Sequence, residues 1–100
     1  MNNLQIIAAA LLLAGTAAVA QSGRYTAMLA QPLAAKKEII VNRNIWRCEG
    51  STCVLTSVPE DPGSIRDCHL LMRRVGALIA YGPEARPFEA DKLAKCNEQG

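Results

Sequence analysis

Four cysteines constrain what this chain can fold into more than any other feature of its sequence. They are Cys48, Cys53, Cys68 and Cys96, and all of them follow a hydrophobic N-terminal segment. An even number of cysteines in a small exported chain predicts disulfide bonds, which stabilise a domain whose core is modest. Three pairings are possible. We favour Cys48–Cys53, because a hairpin would bring these residues together, and Cys68–Cys96, because two helices would offer them.

The N-terminal segment has the pattern of a signal peptide. An apolar run over Leu4–Ala14 is too short to cross a bilayer as a helix, and Ala18-Val19-Ala20 then supplies small residues where a signal peptidase requires them. We therefore predict a signal peptide over residues 1–20 and a single small domain over residues 21–100. The alternative, a membrane anchor, lacks a second apolar stretch. The predicted location is periplasmic or secreted, with no membrane span in the mature chain.

The charge of the predicted mature domain is balanced. All 11 Lys and Arg residues and all 9 Asp and Glu residues follow position 20, which leaves a formal net charge of +2 without charged blocks. A balance of this kind gives no electrostatic argument for binding to nucleic acid or to a membrane surface. We expect no nucleic-acid partner.

Strand and turn signals alternate in the first half of this domain. Short β-prone segments occur at Tyr25–Ala30, Glu38–Val41, Ile45–Cys48 and Cys53–Thr56. The clusters Asn42–Asn44 and Glu49–Thr52 separate the last three segments and are typical of turns. These three segments are expected to form an antiparallel meander, which the Pro-containing loop Ser57–Gly63 ends.

Helical patterns follow in the second half. Ser64–Val75 places Ile65, Cys68, Leu71, Met72 and Val75 on one apolar stripe, with Ser64 and Asp67 in capping positions and Gly76 after the last turn. Ala77–Tyr81 is interpreted as a buried strand, and Glu89–Cys96 as a short helix because its acidic residues precede its late lysine. The sequence thus predicts an α+β fold, a small antiparallel β-meander with two short helices, linked by disulfides.

The cysteine pattern resembles a family of small, uncharacterised exported proteins of alphaproteobacteria. Its features are a Trp-x-Cys-x-Gly-x-x-Cys hairpin, a helical cysteine and a C-terminal Cys-Asn, which here correspond to Trp46–Cys53, Cys68 and Cys96-Asn97. The resemblance extends from about Tyr25 onward. It implies a shared fold and export, and it supplies no activity, substrate or catalytic residue.

Candidate chemistry is weak throughout the chain. The intervals between the cysteines do not match the close pairs of zinc sites, and the Cys48–Cys53 hairpin does not match a redox motif at a helix start, so we expect no metal and no cofactor. His69 follows Cys68 on a helix, where adjacent side chains diverge, and is interpreted as a solvated surface residue. The carboxylate pairs Glu60/Asp61 and Glu89/Asp91 fit turn and capping roles.

Trp46 is the single tryptophan and alternates with Ile45 along a strand. We predict that it is buried in the core, against the helix that carries Ile65 and Met72. If it faced outward between Arg43 and Arg47, these three residues would form a candidate binding face, because Trp and Arg are enriched where proteins bind each other.

The sequence favours a non-enzymatic, exported binding or envelope-associated protein, with an envelope protein as its partner. The alternative is a small inhibitor of an extracytoplasmic hydrolase that presents the Asn42–Asn44 turn or the Ser57–Gly63 loop, since a rigid loop lowers the ordering cost of binding. A hydrolase with an unrecognised site is a third hypothesis.

Overall fold

A computed structural model describes residues 24–98 as a five-stranded antiparallel sheet with two helices. The predicted signal peptide, residues 1–20, lies outside the described residues. The elements, in chain order, are β1 (Tyr25–Leu29), β2 (Lys37–Val41), β3 (Asn44–Glu49), β4 (Thr52–Ser57), α1 (Ile65–Val75), β5 (Leu78–Pro83) and α2 (Ala90–Asn97). The α+β fold class is therefore confirmed.

The strand order across the sheet is β2-β3-β4-β1-β5. The strands β2, β3 and β4 form the predicted meander through two tight turns. The strand β1 then pairs antiparallel with both β4 and β5, so the first strand of the described chain lies inside the sheet. The strand Tyr25–Ala30 is predicted from the sequence but its position in the sheet is not, because nothing local in a short strand specifies its distant partners.

One prediction for the sheet is wrong. The segment Ala77–Tyr81 was expected to be a buried strand, but β5 lies at an edge of the sheet and Ile79 is 61% exposed. The pairing of β1 with β5 is irregular between Met28 and Leu29, and Ile79 is the residue of β5 that this bulge leaves without a partner. Leu78 and Tyr81 on the same strand are buried, which explains why its sequence resembles a core strand.

The first helix has the predicted boundaries and caps. The Oγ atom of Ser64 accepts a hydrogen bond of 3.0 Å from the backbone N–H of Asp67. Gly76 has a φ of 96° and donates its N–H to Met72 O at 2.8 Å. The buried apolar residues of α1 face the sheet and α2. They are Cys68, Leu71, Met72 and Val75.

Both helices cover one face of the sheet, and the core lies between these two layers. Trp46 is 1% exposed and contacts Tyr81, with ring centroids 5.5 Å apart, so its predicted burial is confirmed. Tyr81 also packs against Tyr25 and Phe88, which gives the core a small aromatic centre. In the chain from residue 24 to residue 98, no helix combines the length and apolar character needed to span a bilayer.

Both favoured disulfides are present. Cys48 and Cys53 join β3 to β4 next to their turn, with Cα atoms 4.0 Å apart. Cys68 and Cys96 join α1 to α2, with Cα atoms 5.6 Å apart. The predicted pairing is therefore confirmed, and no cysteine of the chain remains free.

Candidate functional site

The face of the sheet opposite the helices is the candidate functional site, and we call it the open face. Because side chains alternate along a strand, every buried position on β1 to β4 has neighbours that point to this face. Its central row crosses four strands in register through Glu38, Arg47, Val54 and Thr26. The open face consists of Thr26, Met28, Glu38, Ile40, Ile45, Arg47, Glu49, Thr52, Val54 and Thr56.

A shallow depression of about 790 Å³ lies on the open face. Its floor is formed by β-branched and hydroxyl side chains, and its rim is charged. The rim carries four cations against two anions, and the lining consists of Arg24, Lys36, Lys37, Glu38, Arg47, Cys48, Glu49, Thr52, Val54 and Thr56. Arg47 is the central cation, with Nε 3.5 Å from Glu38 Oε2 and 72% of its side chain exposed. An excess of positive charge around an open, shallow surface favours an acidic partner.

The three predicted binding residues do not share one surface. Arg47 lies on the open face, whereas Trp46 points to the opposite side of the sheet and is buried, so a binding face that includes this tryptophan is excluded. Arg43 lies at the tip of the β2–β3 turn, where its Nη2 is 2.8 Å from Glu60 Oε2. Alternation along β3 separates Trp46 from Arg47, and the turn places Arg43 beyond the strand.

The two segments of the inhibitor hypothesis are bound to each other. The Asn44 side chain donates to the Glu60 carbonyl and accepts from the Glu60 N–H, both at 3.0 Å. Arg43 adds its ion pair to the same residue. Asn42 and Arg43 both have positive φ, at 51° and 72°, as in the two-residue turns that match the twist of a hairpin. The turn and the Ser57–Gly63 loop thus form one braced unit.

His69 differs from its sequence-based interpretation. It is half-buried, and its Nδ1 lies 2.7 Å from the Cys96 carbonyl oxygen. Because a carbonyl only accepts, this nitrogen donates, and the imidazole links α1 to the end of α2 beside the Cys68–Cys96 disulfide. The neighbouring sulfur is oxidised, so the pair has no thiolate that a base would activate. The solvated interpretation failed because it considered only the diverging neighbours on one helix.

The two carboxylate pairs differ in their structural roles: the Glu89 side chain makes no cap hydrogen bond at the start of α2, so its predicted capping role is wrong, whereas Asp91 Oδ1 accepts from Lys92 N at 3.0 Å. The Asp61 Oδ1 atom accepts from Gly63 N at 2.9 Å, which is the turn role that was predicted. The Tyr81 hydroxyl donates to Pro62 O at 2.8 Å, and burial, with smaller contributions from Tyr25, Asp67 and Asp61, raises the pKa of this phenol well above its usual value. Among residues 24–98, no three His, Cys, Asp or Glu side chains are grouped so that they could hold a metal ion.

Comparison with known protein families gives a match over most of the chain. The family described as "Family of unknown function (DUF8200)" matches residues 7–98, which is most of the chain. No curated protein and no solved structure matches the sequence significantly.

Proposed function

We propose that this chain, which belongs to the family of unknown function DUF8200, is an exported, non-enzymatic binding protein whose open face binds an acidic surface of an envelope protein. The observation that carries the proposal is the cationic rim around an exposed sheet face, with Arg47 at its centre. The proposal includes removal of a signal peptide over residues 1–20 and a periplasmic or secreted location. It also includes the resemblance to small alphaproteobacterial proteins with the Trp-x-Cys-x-Gly-x-x-Cys hairpin.

The disulfides support export. All four cysteines are paired and buried, and structural disulfides of this kind form and persist in oxidising compartments. The apolar N-terminal run with its Ala-x-Ala end would direct the chain to such a compartment.

The shape of the open face supports a macromolecular partner. Small-molecule sites are usually enclosed and mostly apolar, with a few convergent polar groups. The depression here is shallow and its rim is charged, and its floor is made of strands held in register by the sheet and by the Cys48–Cys53 bond. A rigid, preformed surface loses little conformational entropy when it binds.

The polar side chains that could take part in catalysis already have structural roles, which supports a non-enzymatic function. His69 holds the end of α2, Asp61 forms a turn, and Asn44 braces the loop that precedes α1. Each of these groups therefore has a structural partner that a catalytic role would have to replace.

Two arginines provide a matched test. Arg47 and Arg43 have 72% and 73% of their side chains exposed, and each pairs with one glutamate, but only Arg47 lies on the open face. The folded mature domain, immobilised, is used to capture proteins from envelope extract in parallel with its Arg47→Glu and Arg43→Glu variants. We expect wild type and Arg43→Glu to capture acidic envelope proteins, and Arg47→Glu to lose them. The captured proteins should dissociate as the salt concentration is raised.

The inhibitor hypothesis is the second candidate, and the braced turn is the observation that favours it. The same experiment separates the two. Capture of a single stoichiometric hydrolase that is lost with Arg43→Glu and kept with Arg47→Glu would support an inhibitor and contradict the open-face proposal. If capture is unchanged in both Arg43→Glu and Arg47→Glu, or if nothing is captured, both the open-face proposal and the inhibitor hypothesis are contradicted.

A further inference from the structure

The two edges of the sheet differ in how their backbone groups are satisfied. At the β5 edge, the Asn97 side chain accepts from Leu78 N at 2.9 Å and donates to Leu78 O at 2.8 Å, as a neighbouring strand would. The Phe88 N–H donates to Tyr81 O at 2.8 Å. The loop before α2 and the end of α2 therefore occupy the positions at which another strand would pair with β5.

The β2 edge is open. The two-residue turn at Asn42 and Arg43 makes Val41 and Asn44 a hydrogen-bonded pair, so Ile39 and Lys37 also bond to β3. The N–H and C=O groups of Glu38 and Ile40 consequently point away from the sheet. Within residues 24–98 no backbone or side-chain group bonds to them. The strand β2 is the outermost strand on this side of the sheet, and Ile40 is 62% exposed, so a new strand can reach this edge.

The charges beside this edge select among the strands that can reach it. Lys36 and Lys37 are exposed at its start, and Arg47 lies on the adjacent strand, whereas Glu38 is the only acidic residue of β2. A second copy of the chain would bring the same excess of positive charge. Edge lysines are a common device against self-pairing of this kind, and they do not repel an acidic strand.

We propose that the partner binds by adding an extended acidic segment as a sixth strand along the outer edge of β2. The inference rests on the proposed function and specifies how the same surface is used. Main-chain hydrogen bonds to Glu38 and Ile40 supply affinity, and acidic side chains of the segment near Lys36 and Lys37 supply selectivity. An apolar residue of the segment covers Ile40, which otherwise exposes most of its side chain.

The test is a selection of random peptides of strand length, displayed on phage, against the mature domain. Selected peptides are then synthesised and titrated into the ¹⁵N-labelled protein. The expected peptides alternate acidic with apolar or β-branched residues, and they slow amide exchange at Glu38 and Ile40 more than at any amide of β5. A selection that yields no binder, peptides without an acidic preference, or protection located elsewhere would overturn the inference.

Two substitutions at one position separate the backbone from the side chain. Ile40→Pro removes an outward-facing donor without breaking a bond to β3, and proline is tolerated at such edge positions. It is expected to weaken peptide binding about tenfold, more than Ile40→Ala, which keeps the N–H. Near-ultraviolet circular dichroism confirms that both variants are folded. Equal binding by Ile40→Pro and Ile40→Ala would contradict strand addition.

Charge reversal tests the selectivity. The double variant Lys36→Glu/Lys37→Glu is expected to abolish the acidic preference in a repeated selection while the amides of Glu38 and Ile40 stay accessible. An unchanged preference would contradict the assigned role of these lysines. If Arg47→Glu abolishes capture from envelope extract and Ile40→Pro leaves it intact, the open-face function stands and strand addition is wrong.

Discussion

Removal of the interhelix disulfide is expected to destabilise the protein more than removal of the hairpin disulfide. Cys68 and Cys96 are 28 positions apart, whereas Cys48 and Cys53 are 5 apart. Loop-closure arithmetic assigns about 3.6 kcal/mol to the longer loop and about 2 kcal/mol to the shorter one, a difference of about 1.5 kcal/mol. All four sulfur atoms are buried, so replacing either pair with alanine removes a similar amount of packing.

The structure adds a local effect to this difference. Cys96 is the only fully buried residue of α2 within the described chain, so loss of its bond removes the main anchor of that helix. The strands β3 and β4, in contrast, are also held together by backbone pairing from Ile45 to Glu49, with one irregularity between Ile45 and Trp46. Amides of α2 are therefore expected to exchange faster in Cys68→Ala/Cys96→Ala, while amides of β3 and β4 are expected to stay protected in Cys48→Ala/Cys53→Ala.

Urea unfolding of both double variants, followed by tryptophan emission, measures the two losses, and hydrogen exchange locates them. The denaturation is repeated with reductant, which should bring wild type and both variants to similar midpoints. Equal losses in oxidising buffer, or a larger loss from removing Cys48 and Cys53, would refute the reasoning. If the two double variants still differ in stability after reduction, the difference comes from packing and not from loop closure.

Three further predictions concern single side chains. Asn44→Ala should cost about 2 kcal/mol of unfolding free energy in urea, because it removes a buried side chain and leaves two partly buried Glu60 backbone groups without their partner, whereas Arg43→Ala should cost at most about 1 kcal/mol as part of an exposed ion pair. Stability should fall as pH rises above about 10, because the raised pKa of Tyr81 keeps the folded phenol protonated where the unfolded one ionises, and Tyr81→Phe should reduce that slope. Gly82→Ala should lower the melting temperature strongly, since Gly82 has a φ of 134° and a Cβ atom would lie 3.1 Å from the Cα atom of Pro87.

Features that depend on neighbouring residues could be predicted from the sequence. The α1 stripe, its Ser64 cap and the Cys48–Cys53 hairpin all follow from patterns within a few positions. The position of β1 between β4 and β5 could not be predicted, because it depends on pairing with Tyr81 and its neighbours far along the chain.

The candidate site was predicted only in part. Arg47 was a candidate binding residue only if Trp46 faced outward, and it lies on the open face although Trp46 is buried. Lys36, Lys37 and Arg24 were not identified, because they come together only when β1 is inserted into the sheet and β2 lies at its edge. The period-2 alternation of β3 contained a usable signal, since a buried Trp46 requires Arg47 to face the other way.

The hydrogen bonds between the Asn97 side chain and Leu78 can form only after the end of α2 has been synthesised. Translation delivers a chain N-terminus first, so β5 is complete before the residue that shields it has emerged. During that interval Leu78 offers its backbone to any passing strand, and oxidation of Cys68 must wait for Cys96, which directly precedes Asn97. Cys48 and Cys53 are only 5 positions apart, so their disulfide can form as soon as both have been synthesised. The nascent domain therefore passes through a stage with one disulfide and two unprotected edges, and it is at this stage that a chaperone would protect it most from misassembly.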